Sequence, residues 1–211
     1  LRSIAPTIFI FLLGLGISFA QKVPSPEEIL GFKVGADFHL ADYKQAFEYF
    51  RALEKSSPRM KVFEMGKTEM GKPMIYAVIT SEDNMAKLDR YKEISRRLAL
   101  VKGLADEEAL RLAAEGKAVV WISVAVHASE SATAQHALQL AYDLVTSEDP
   151  ETHFIRDNTI FLLVFANPDG MQMMADWYLP NVGTPYEVSR LPWLYNKYVG
   201  SAYTTIPAIA Y

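Results

Sequence analysis

Ala118-Val119-Val120-Trp121-Ile122-Ser123-Val124-Ala125-Val126 is the stretch that decides the fold. The run is apolar almost without a break and rich in β-branched residues, so it reads as a strand covered on both faces rather than one facing water. Beyond it come His127-Ala128-Ser129-Glu130, a helical spacing over 133–146, a polar turn holding His153, and a second buried strand over 159–166. Strand, helix and strand in that order imply a parallel pair joined by a crossover helix. Upstream, apolar residues at Tyr43, Ala46, Phe47, Phe50 and Leu53 predict a helix over 42–55, stopped by Ser56-Ser57-Pro58. Residues 61–67 and 73–80 read as strands joined by Thr68-Glu69-Met70-Gly71-Lys72, a hairpin. Charged amphipathic helices are expected over 84–101 and 106–114. The sum is an α/β fold: a mixed, largely parallel twisted sheet with helices on both faces.

Composition narrows the chemistry. The 211 residues carry 21 Lys plus Arg against 25 Asp plus Glu, are 50% hydrophobic and contain no Cys. Disorder is excluded by that apolar content, and disulfides, thiol nucleophiles and thiolate metal sites by the missing Cys. Any metal must therefore be held by carboxylates and by His39, His127, His136 or His153. The net charge is -4 and the longest basic cluster is Arg96-Arg97, which argues against nucleic acid or an acidic membrane surface as partner. In the first twenty residues Arg2 is the one charge, 4–19 is almost wholly apolar with Gly14 and Gly16, and Ser18-Phe19-Ala20 precedes the polar Gln21-Lys22-Val23-Pro24-Ser25-Pro26. This predicts a signal peptide at 1–20 rather than a membrane anchor or buried helix, for which the run is short, a mature chain with no membrane contact after cleavage, and a secreted or periplasmic location. A cysteine-free exported chain fits a bacterium. Oligomeric state leaves no mark in the sequence.

In sheets of this kind ligands bind beyond the carboxyl ends of the strands. Both ends are polar here: His127-Ala128-Ser129-Glu130 follows the first strand and Asn167-Pro168-Asp169-Gly170 the second. An imidazole and a carboxylate three positions apart at a strand mouth can converge on one cation, which suits zinc, and supply two of at least three ligands. Four His and fifteen Glu give about 0.3 chance matches to His-x-x-Glu in a chain of this length, so position rather than pattern carries the reading. The plainer alternative is a half-buried imidazole beside a carboxylate on the first turn of a helix.

Together, the buried strand, His-x-x-Glu, helix, buried strand and Asn-Pro-Asp-Gly resemble the carboxypeptidase A-like zinc carboxypeptidase family, over about 23–200. Ser56-Ser57-Pro58, Gly66-Lys67-Thr68 and Gly71-Lys72-Pro73 are similar to that family's amino-terminal half. The resemblance implies Zn2+ as cofactor, His127 and Glu130 as metal ligands, Asn167 to Gly170 as the floor beside the site, and a peptide or protein substrate cut at its carboxyl end. It also implies an Asn-Arg pair for the substrate carboxylate, a distant third His ligand and a later Glu as general base. None of these has a counterpart here: no His follows His153, and the last Glu is Glu187. His39, His136 and His153 are expected to be solvated or packed rather than ligating. The family likeness ends near Gly200. Read one base out of phase, the codons of 203–209 permit His-Asp-Asn-Ser-Arg-Asp, close to the Asn and Arg segment. The expectation is an amino-terminal half of a carboxypeptidase, cut short by a frameshift with a divergent tail at 201–211, and itself inactive. A zinc amidohydrolase acting on N-acyl amino acids, or a secreted binding domain on a dead metallopeptidase fold, would carry the same motifs.

Overall fold

The computed structural model describes residues 22–184; the expected signal at 1–20 and tail at 201–211 lie outside them. The described chain runs α1 (Pro26–Leu30), α2 (Tyr43–Ser56), β1 (Met60–Lys67), β2 (Pro73–Ile79), α3 (Glu82–Met85), α4 (Leu88–Leu100), α5 (Asp106–Glu115), β3 (Ala118–Val124), α6 (Ser131–Thr146), α7 (Pro150–Asn158), β4 (Thr159–Phe165) and α8 (Pro168–Asn181). Its four strands form one mixed sheet in the order β1-β2-β4-β3. The β1–β2 hairpin and the β2–β4 pair are antiparallel, and β3 and β4 run parallel.

Local chemistry accounts for the elements. Asp42 caps α2 by accepting from the Gln45 amide while the Gln45 side chain accepts from the Asp42 amide, a reciprocal capping box. The stripe of Tyr43, Ala46, Phe50 and Leu53 is fully buried or nearly so, and turns α2 onto β1, α6 and α8. In β2, Ile75, Ala77 and Ile79 enter the large core beneath α2 and α6, while Val78 joins a smaller cluster with Tyr91, Ile94, Leu112 and Ile160 on the other side. Phe165 closes the large core, its ring 5.1 Å from Phe50 and 5.8 Å from Tyr43.

Three expectations are corrected. First, among the described residues β3 is not covered on both faces: Val119, Val120 and Trp121 are exposed, and Val119 and Trp121 line an apolar groove of about 410 Å3 with Phe63, Tyr76, Ile160 and Leu162. An apolar run records that a strand is built to be covered; it does not say which residues cover it. Second, His153 lies not in a turn but within α7, which begins when the Asp149 carboxylate accepts from the Thr152 amide and Pro150 occupies the first helical position. Third, the helix expected over 84–101 divides into α3 and α4.

Candidate metal centre

The register of the parallel pair brings both strand mouths to one place. Val124 is paired with Phe165, and the next amide, Ala166, donates to the Val124 carbonyl at 2.9 Å. The chain then leaves β3 through Ala125, whose φ of 52° is left-handed, and folds into a tight loop in which the Glu130 amide donates to the His127 carbonyl at 3.0 Å. Glu130 ends that loop as the residue before α6.

Within the loop, Nδ1 of His127 lies 2.7 Å from Oε1 of Glu130. His127 is 38% and Glu130 50% exposed at the side chain, so the pair is open to solvent and to an incoming ligand. The Glu130 carboxyl is held below its ordinary value of 4.5, chiefly by the hydrogen bond from His127, against a smaller opposing effect of burial. An ionised carboxylate can only accept, so Nδ1 carries the proton between them. A cation binding the pair would replace that proton. Sign follows from direction: the hydrogen bond's contribution is fully present above pH 4.5 and is lost as pH falls through the lower folded value. A carbon-detected NMR titration should give Glu130 a midpoint below 4.5, which rises in His127→Ala. An unchanged midpoint in that variant would show that the pair does not interact.

Asn167 and Gly170 meet this loop from the start of α8. The Asn167 amide group donates to the Val126 carbonyl at 3.3 Å, and its oxygen accepts from the Gly170 amide at 2.9 Å, so one side chain ties down the entry to the His127–Glu130 loop and caps α8. Gly170 is required by space. A Cβ there would lie 2.8 Å from the Ala128 Cβ and 2.5 Å from Nδ2 of Asn167. Asp169 is 3% exposed and reaches the hairpin instead, accepting from the Thr68 hydroxyl at 2.8 Å and the Met70 amide at 3.0 Å, with the Lys72 ammonium 3.6 Å away.

The other histidines stand apart from the pair in their contacts. His39 meets the Asp37 carbonyl at 2.8 Å and the Phe32 ring, His136 is exposed on α6, and Nε2 of His153 is 2.6 Å from Glu148. Among the described residues no group of three His, Asp or Glu converges as a metal site would. The donor set at His127 and Glu130, one imidazole nitrogen and one carboxylate, fits zinc as two of its ligands. Sequence reading did not single out Thr133, whose hydroxyl accepts from the Ala125 amide at 3.0 Å and donates to the Glu130 carbonyl at 2.8 Å. Nor did it find Thr68 and Lys72 as partners of Asp169; a separation of 101 residues leaves no local trace.

Fold and pair together give an α/β protein with an imidazole and a carboxylate in contact at the carboxyl edge of a mixed sheet. A family model described as zinc carboxypeptidase matches residues 47–188, more than half of the sequence, and the chain belongs to that family. Among the curated proteins none matches. The solved structures similar to it include carboxypeptidase A from Helicoverpa armigera, at 19% identity and a TM-score of 0.44 over 77% of this chain and 33% of that one. A metallo-carboxypeptidase from Burkholderia cenocepacia shares 22% identity at a TM-score of 0.41, over 59% of this chain and 27% of that one. Thrombin activatable fibrinolysis inhibitor shares 10% at 0.47, over 71% and 31%. The chain thus spans about a third of the length of these structures or less. Among the described residues no helix is long and apolar enough to cross a membrane.

Proposed function

We propose that this chain provides the His-x-x-Glu part of the zinc site of a carboxypeptidase, with His127 and Glu130 as metal ligands. The observation that carries the reading is the 2.7 Å approach of His127 Nδ1 to the Glu130 carboxylate at the mouth of β3. When bound, zinc supplies Lewis-acid polarisation of a peptide carbonyl and a bound water of lowered pKa. The chain's own share is to hold two ligands in register and to build the floor under them. Peptides or proteins cleaved at the carboxyl end are the substrate class. The 211 residues on their own are inactive in this reading: among those described no third His, Asp or Glu converges on the pair as ligand or base, and lack of a general base alone costs about a hundredfold to ten-thousandfold in rate.

Calorimetric titration with Zn2+ tests it. Wild-type protein is expected to take up one zinc, with His127→Ala and Glu130→Ala each weakening uptake by tenfold or more, by about 1.4 kcal/mol at least. Equal stoichiometry and affinity in His127→Ala would overturn the assignment. Blocked dipeptides should show no hydrolysis above buffer with this chain.

The protein is exported in the same reading. Just past the expected cleavage point Val23 packs against the core and the Pro24 carbonyl accepts from the Tyr49 hydroxyl at 3.2 Å, so a chain cut after Ala20 would keep its first residues tied to the core. Expression in a bacterium should yield protein beginning at Gln21. Intact Leu1 in the membrane fraction would contradict export with cleavage.

A further inference from the structure

We infer that Thr133 is a positioning residue for the His127–Glu130 pair, an inference that rests on the metal-ligand reading above. Its hydroxyl spans the whole ligand loop. It accepts from the amide of Ala125, two residues before His127, and donates to the carbonyl of Glu130. The Thr133 amide donates to the same carbonyl at 3.2 Å, so the first turn of α6 grips Glu130 twice.

A second observation gives the bridge a task. Ala125 holds a φ of 52°, a conformation that a residue with a Cβ adopts at a cost and that nothing in its own side chain repays. Its amide is the first past the end of β3, and the Thr133 hydroxyl is the partner that accepts from it. Released, Ala125 would relax toward ordinary backbone and turn His127 away from Glu130, because His127 stands only two positions beyond it. Thr133 is exposed, so water competes for each of its bonds. A water making the same bridge must be immobilised, whereas the hydroxyl is placed by the helix that carries it. Below the loop, Asn167 donates to the Val126 carbonyl and Gly170 lies against Ala128.

The test uses the full chain, Zn2+ alone and four variants. Thr133→Val keeps shape and removes the hydroxyl; it should bind zinc about tenfold more weakly than wild type, the range seen when an outer-shell partner of a metal ligand is lost. Thr133→Ser should bind as wild type does. Ala125→Gly, which removes the conformational cost, should restore affinity in the Thr133→Val background. His127→Ala separates this inference from the reading beneath it. If wild type binds no zinc, or His127→Ala binds as well as wild type, the ligand assignment fails. If His127→Ala loses zinc while Thr133→Val retains wild-type affinity, the positioning role fails and the ligands stand. Hydrogen exchange at the Ala125 amide gives a readout independent of metal: protection should be lost in Thr133→Val and kept in Thr133→Ser. Should Thr133→Val not fold, as judged by circular dichroism, Thr133→Ser with wild-type exchange and affinity supports the role, and Thr133→Ser with the Ala125 amide unprotected overturns it.

Discussion

Asp169→Ala is expected to lower the unfolding free energy by about 3 to 5 kcal/mol. The carboxylate is nearly buried and serves three groups of the hairpin at once: the Thr68 hydroxyl, the Met70 amide and the Lys72 ammonium. Each hydrogen bond to a buried charge contributes about 1.5 to 3 kcal/mol, and removing the acceptor leaves its donors unpaired. The Thr68 hydroxyl also accepts from the Lys72 amide at 3.0 Å, so the hairpin loop loses the anchor of its own internal bond. Urea denaturation of wild type and variant measures the difference. A loss under about 1 kcal/mol would mean that the hairpin does not depend on the floor motif.

Gly170→Ala is expected to cost about 2 to 4 kcal/mol and to weaken zinc uptake in the same protein. The added Cβ meets Asn167 Nδ2 at 2.5 Å and the Ala128 Cβ at 2.8 Å, so either Asn167 or the ligand loop must move. Overpacking of this kind costs about 1 to 3 kcal/mol, and displacing Asn167 removes the cap of α8, worth about 1 kcal/mol more. Because Ala128 stands between His127 and Glu130, the strain passes into the pair itself. Thermal melting and zinc titration check the two effects separately. Wild-type values in both would show that the close approach relaxes without consequence.

The sequence carried the elements whose causes are local. The stripe from Tyr43 to Leu53 with Asp42 before it specified α2, and Gly71 between two apolar runs specified the hairpin. The partnership of His127 with Glu130 was legible because a spacing of three at a strand mouth is itself a local fact. What was misread depends on distant partners or on an ambiguous residue. Asp149-Pro150 reads as a turn, but Pro150 is the first helical residue of α7 and Asp149 its cap. Pro168 hid the start of α8 in the same way. The nine-residue apolar run marked β3 as a strand, but exposure of Val119 and Trp121 depends on which segments pack against it, and periodicity contains no such information. Thr133 is one of many hydroxyls in the sequence; only its two bonds across the loop distinguish it.

Anomalous diffraction at the zinc edge, from crystals of this chain grown with Zn2+, tests the central claim most directly. A single strong zinc peak is expected in contact with both His127 Nδ1 and the Glu130 carboxylate, absent from crystals of His127→Ala. Zinc bound instead at His153 and Glu148, or no peak at the mouth of β3, would contradict it.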